Sequence, residues 1–235
     1  MAKFHHRWTL PALLAALAAA LIALALGFNH YRQATTLPHG ADLSQIGVEL
    51  TQDQDFVDLQ ALKSRGIDFV YLKSTQGRTY FDENYDFYKS QLQGSDLPFG
   101  TIILVSSQST PRAQLSYFFK KTGTDHGSLP LLLEPAPSQS QTQAEVALRK
   151  VAALLVHHGQ KIMVLTADSS GYPQGTLFMA TGGTAPQRRR YAFWRYTTNG
   201  RVHNVNQLQQ GVTMFAYLGS NSAFLNSFGQ TGGAQ

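Results

Sequence analysis

IGVELTQDQDFVDLQALKSRGIDFVYLKS, residues 46–74, decides the fold. IGVEL (46–50) is a short apolar run rich in β-branched residues, the signature of a strand. From Asp53 onward Phe56, Val57, Leu59 and Leu62 recur at helical spacing, and Gly66 supplies a stop. DFVYLKS (68–74) is a second strand. The unit then repeats: 83–93 reads as helix, 99–107 as strand, 112–121 as helix, 130–136 as strand, 141–158 as helix and 161–167 as strand. Consecutive strand–helix units with near-continuous Ile, Leu and Val in the strands imply a parallel sheet covered on both faces. Three more β-like runs, 177–181, 191–196 and 212–218, follow without intervening helices. Eight strands is a barrel number, and no glycine-rich phosphate loop follows IGVEL, which counts against an open dinucleotide-binding sheet. The expectation over 46–218 is an α/β fold, a closed TIM-like (β/α) barrel of about five βα units followed by strands, with an open doubly wound sheet as the weaker alternative. Residues 219–235, rich in Gly, Ser and Asn, read as a flexible tail.

Ahead of the barrel, residues 10–28 carry no charge, and Lys3, His5, His6 and Arg7 precede them. About 20 apolar residues cross a bilayer as a helix, whereas a cleaved signal has a core of roughly 7–15, so the reading is a transmembrane anchor with a cleaved signal as its alternative. Residues 1–9 form its basic cytoplasmic flank and 29–45 a polar linker. The positive-inside bias puts the barrel outside the cytoplasm.

The 235 residues contain no cysteine, which excludes disulfide scaffolds and thiolate metal sites. Residues 29–100 hold 6 basic and 10 acidic side chains, and 101–235 hold 11 and 4. The run Arg188, Arg189, Arg190 reads as a solvated loop or a polyanion patch. No nucleic-acid motif accompanies it, so no nucleic-acid partner is expected. The 8 histidines show no ligand spacing, and no metal is expected.

In a parallel barrel the chemistry sits at the carboxyl ends of the strands. Polar residues there are Glu49, Lys73, Ser74, Thr75, Gln76, Ser106, Ser107, Glu134, Asp168 and Arg195. Glu49 and Glu134 are carboxylates among apolar strand residues, where an unpaired charge is costly, so a site or an ion pair with Lys73 or Arg195 must account for them. A carboxyl pair on strand ends suits glycosidic chemistry, one group protonating the leaving oxygen and the other stabilising positive charge. Tyr80, Phe81, Trp194 and Tyr196 flank the strand ends as candidate faces for sugar rings.

Whole segments strengthen that reading. GVELTQDQDFVDLQALKSRGIDFVYLKSTQG (47–77) resembles the opening of glycoside hydrolase family 25, the Chalaropsis-type lysozymes, with Lys73, Thr75 and Gly77 matching its Lys-Ala-Thr-Glu-Gly. TYFDENYDFYKSQLQGSDLPFGTI (79–102), LPLLLEPA (129–136) and FWRY (193–196) resemble, in order, its Tyr-x-Asp-x-x-Phe and Gly-x-Tyr-His-Phe, its Leu-Pro-x-x-Leu-Asp-x-Glu and its Phe-Trp-Gln-Tyr. The resemblance implies an irregular barrel and cleavage of the β-1,4 bond between N-acetylmuramic acid and N-acetylglucosamine in peptidoglycan, without metal or organic cofactor. Position at the strand ends and this resemblance together make Glu49 and Glu134 the candidate catalytic residues and Lys73, Gln76, Tyr80, Trp194, Arg195 and Tyr196 the candidate substrate-binding residues.

The catalytic positions depart from that pattern. Glu49 stands for an aspartate and Glu134 for the first acid of Asp-x-Glu. Ala136 stands where the proton-donating glutamate belongs, Gln76 replaces an acid, Ile103 sits near a histidine position and Thr213 near a late aspartate. Two expectations follow. Either Glu134, one methylene longer than aspartate, takes over as acid while Glu49 stabilises charge, or the fold is a catalytically silent module that binds glycan strands.

Overall fold

The computed structural model describes residues 9–39, 45–187 and 189–229, in two compact units that divide after Thr35. In the first, helix α1 (Thr9–Gln33) carries seven leucine and isoleucine side chains between Leu13 and Leu26, each more than half exposed. Among the described residues no helix is long and apolar enough to cross a membrane. The anchor expected over 10–28 therefore has no structural support. Residues 1–8 of the basic flank, 40–44 of the linker, Arg188 and 230–235 lie outside the described residues.

The second unit is a closed barrel. Its elements run β1 (Ile46–Leu50), α2 (Leu59–Ser64), β2 (Phe69–Gln76), β3 (Tyr80–Phe81), α3 (Tyr85–Gln93), β4 (Phe99–Val105), α4 (Pro111–Thr122) and β5 (Leu131–Pro135). Then come α5 (Gln141–His157), β6 (Ile162–Leu165), β7 (Leu177–Thr181), β8 (Phe193–Gly200), β9 (Val212–Tyr217) and α6 (Asn221–Phe228). Strands β1, β2, β4, β5, β6, β7 and β8 pair in parallel, and antiparallel β9 fits between β8 and β1. Pairing of β1 with β2, Gly47 opposite Phe69, closes the ring of eight strands. The two-residue β3 folds back on β2 as a hairpin outside that ring.

Alternation along each strand sorts side chains to the two faces. Outward residues of β4, β5 and β6 pack under α4 and α5 around Phe118, Leu148 and Leu155. Those of β1, β2, β8 and β9 pack with α2 and α3 around Leu62, Tyr85 and Trp194. Inward residues fill the lumen with Phe69, Tyr71, Ile102, Leu132, Met163, Met179, Phe193 and Phe215. Against these rings the strands come too close for a side chain at Gly47, where a Cβ would lie 2.2 Å from the Phe69 ring, and at Gly100, where it would lie 2.5 Å from the Tyr71 ring.

The segment expected as a tail does structural work. Ser220 caps α6 by accepting the Ala223 N–H at 3.2 Å, and Phe224 and Phe228, one turn apart, enter the barrel's amino-terminal mouth. Phe224 meets Phe69 at 5.5 Å and Tyr217 at 5.3 Å, and the Ser128 hydroxyl donates to the Phe228 carbonyl at 2.8 Å. The helix expected from Asp53 begins only at Leu59, because Asp58 accepts the N–H groups of Gln60 and Ala61 and fixes the start there. The linker is pinned at Thr36, whose N–H donates to the Arg201 carbonyl and whose carbonyl accepts the Tyr196 hydroxyl.

Emptying the floor tests its role. Phe224→Ala is expected to lower unfolding free energy by about 3–5 kcal/mol in denaturant titration. Leu225→Ala, at a side chain that is 53% exposed, is expected to change it by less than about 0.5 kcal/mol.

Candidate active site

The opposite, carboxyl-terminal mouth collects the charges. Register alone aims them inward, because Glu49 stands beside lumen-filling Tyr71, Lys73 beside Ile102, Glu134 beside Leu104 and Arg195 beside Phe215. Thr213 lies between outward Val212 and Met214 and therefore also faces in. Five polar side chains from four parallel strands and the antiparallel β9 thus cap an otherwise apolar lumen.

Glu134 is buried, and Arg195 donates to its Oε2 through Nη1 at 2.8 Å. Its Oε1 is buried without a hydrogen-bond partner. Arg195 is steadied from the other side, Nε donating to the Thr181 hydroxyl at 3.3 Å. Burial pushes the Glu134 carboxyl above the usual carboxylate range, opposed by Arg195 and more weakly by Lys73. Glu49 is half-buried, and its carboxyl is pushed up from the ordinary 4.5 to about 7. Burial is the main cause and the charge of Glu134 the next, while Lys73, the Thr213 hydroxyl and Arg195 pull the other way. The two carboxyls therefore sense each other, and both sense the same two cations.

Lys73 also connects the mouth to the β2–β3 hairpin. Its Nζ lies 5.9 Å from the centre of the Tyr80 ring, and its charge acts on Asp82. Asp82 is buried and accepts the N–H groups of Gln52 at 3.0 Å and Asn84 at 3.1 Å, tying the loop after β1 to the hairpin. Gln76 is half-buried and stands opposite Tyr80 on that hairpin.

Above β5 to β8 opens a cavity of about 580 Å³, walled in part by Ala136, Ser138, Gln141, Thr181, Tyr191 and Arg195. That size suits a small organic ligand or sugar unit. Ala136 takes no part in proton transfer; its N–H donates to the Val105 carbonyl and its methyl contributes to the wall.

Of the residues expected to bind substrate, Lys73, Gln76, Tyr80 and Arg195 stand at this mouth. Trp194 and Tyr196 do not. Being one residue to either side of inward Arg195, they point outward, where Trp194 is 0% exposed with its indole N–H on the Gly182 carbonyl. Neither offers a face to a sugar. Asp168 belongs to a separate surface pair with Arg149 at 2.7 Å. Ser74 is buried, donating to the Ile102 carbonyl. Arg190 donates to the Ala167 carbonyl and lies 5.4 Å from the Tyr191 ring, so that part of the arginine run is engaged with the fold. Among the described residues no group of three His, Asp or Glu side chains could hold a metal ion. Thr181 and Asp82 are additions to the residues expected from sequence. The signal for Asp82 is its place just after the two-residue β3; Thr181 carried none.

Comparison with known proteins agrees with this geometry. The chain is 26% identical over 171 residues to an autolytic lysozyme of Clostridium acetobutylicum, an alignment spanning 68% of this chain and about half, 52%, of that relative. Its fold matches a family 25 glycosyl hydrolase from Bacillus anthracis with a TM-score of 0.70 at 18% identity, covering 83% of this chain and 98% of the other. A bacterial lysozyme from Streptomyces coelicolor matches with a TM-score of 0.63 at 20% identity, covering 82% and 100%. The sequence pattern of the glycosyl hydrolases family 25 is matched by residues 48–205, the greater part of the barrel, and the chain belongs to that family.

Proposed function

We propose that the barrel is a lysozyme-type hydrolase of peptidoglycan glycan strands, with Glu49 as its proton donor and Glu134 as a fixed anion. The observation that carries this reading is the inward pair of carboxyls from β1 and β5 at one mouth, one of them with its affinity for a proton raised to about 7. A general acid works best with a pKa near the working pH. Glu134, gripped by Arg195 at 2.8 Å, is the better anion, which reverses the roles expected from side-chain length. In the reaction Glu49 gives its proton to the leaving glycosidic oxygen as the C1–O bond breaks. The positive charge growing on the ring is stabilised by Glu134, water adds to C1, and the proton it loses returns to Glu49.

Ala136 supports a second reading, a module that binds glycan without cutting it. Incubation with purified peptidoglycan separates the two. Hydrolysis is expected as new reducing ends, with Glu49→Gln and Glu134→Gln each lowering the rate about 10²-fold or more. Binding with no new reducing ends from the unsubstituted chain favours the silent module.

Protonation gives an independent check. Because the folded state raises the Glu49 pKa, it holds that proton more tightly than the unfolded chain. The neutral form is fully accommodated below about 4.5, and stability falls as pH rises from there through about 7. Glu49→Gln is expected to flatten this part of the stability–pH curve relative to the unsubstituted protein, and hydrolysis is expected to decline above about pH 7.

We further propose that residues 10–28 anchor the chain in a bilayer with the barrel outside the cytoplasm, on the strength of their uncharged sequence and basic flank. The full chain is expected to stay with membranes through an alkaline carbonate wash. Quantitative release would remove the anchor from the proposal.

A further inference from the structure

The cavity beside Ala136 and the spare donors of Arg195 identify a substituent that the site can read. A guanidinium carries five N–H donors. In Arg195 two are engaged, Nη1 with Glu134 and Nε with Thr181, and the side chain lines the cavity, where it is 19% exposed. A planar fork that already holds one carboxylate can hold a second on its other edge. The carboxylate in the cavity wall, Glu145, is occupied by Arg149 at 3.3 Å, and Arg149 also binds Asp168. Burial and the charge of Glu134 discourage Glu49 from ionising, which lessens the negative charge it places nearby. The short Ala136 side chain, just beyond the end of the strand that presents Glu134, leaves both volume and charge room. An anionic group of a few atoms is what this wall accommodates.

On the reading that a glycan strand lies across this mouth, we propose that the cavity takes the lactyl group of N-acetylmuramic acid as a free carboxylate, with Arg195 as the residue that recognises it. In peptidoglycan that carboxyl is ordinarily an amide to the stem peptide. The chain would therefore prefer strands stripped of peptide, and the class of reaction that must supply them is hydrolysis of the lactyl–peptide amide.

Binding to the full chain, followed by calorimetry, tests this without turnover. Three disaccharides serve as probes: N-acetylglucosaminyl-N-acetylmuramic acid, its lactyl methylamide, and N,N′-diacetylchitobiose, which lacks the lactyl group. A charge-assisted hydrogen bond to Arg195 is expected to make the acid bind about tenfold or more tightly than the other two. Arg195→Gln is expected to abolish that preference, the acid falling to the affinity of its methylamide. Should that variant fail to fold, the comparison of the acid with its methylamide on the unsubstituted chain decides the matter. Equal affinity for acid and methylamide overturns the lactyl proposal and leaves the glycan reading standing. Failure of all three to bind overturns both.

Discussion

An ion pair sealed into the mouth of an apolar barrel is the constraint on which the site depends. Glu134 and Arg195 meet at 2.8 Å on a lumen otherwise filled with Phe, Tyr, Met and Leu side chains. Replacing a buried pair of this kind with well-packed hydrophobic residues is often neutral or stabilising, so fold stability does not explain its presence. The unpartnered Oε1 of Glu134 makes the structural explanation weaker still, because a buried acceptor left unmade costs about 1–3 kcal/mol. A charge held at some cost, paired with an arginine that lines a cavity, is the mark of chemistry or recognition.

The scaffold that holds these charges was largely readable from sequence, and the reason is periodicity. Strands with both faces buried are continuous apolar runs, so IGVEL and the later Leu- and Val-rich stretches announced themselves, and β1 falls on the expected 46–50. Where local pattern and tertiary packing disagreed, sequence misled. Phe56 and Val57 mimic a helical stripe, yet Phe56 is 60% exposed on a loop held by Tyr88, Asn84 and Asp82. The helix that floors the barrel was hidden among Gly, Ser and Asn. Its two phenylalanines gain their meaning only from Phe69 and Tyr217, far away in the chain.

Site residues were legible to the extent that strand parity was. A one-residue slip in a strand turns every side chain to the other face. In FWRY, Arg195 and Trp194 are adjacent candidates, and only the pairing of Arg195 with Phe215 decides that the arginine looks into the lumen and the indole away from it. Glu49 and Glu134 were visible because a carboxylate in an apolar strand is expensive wherever it points. Which of them carries the proton was not visible, since that depends on the partner at the mouth and not on the residue itself.

The choice between them follows from asymmetry in the surrounding charges. Arg195 is hydrogen-bonded to Glu134 and acts on Glu49 only through its field, so on the proposed reading the nearer carboxyl is the anion and the farther one the acid, although burial pushes both upward. Burial acts on both, but the negative charge of Glu134 acts on Glu49 as a further penalty, and Lys73 offsets only part of it. Two like groups a short way apart do not ionise equally, and the pair releases its protons as a coupled unit. On the proposed reading Arg195 holds Glu134 as the anion, while Glu49, discouraged from ionising by burial first and by the charge of Glu134 next, holds the proton, so that one mouth presents both an acid and a counter-charge from strands β1 and β5.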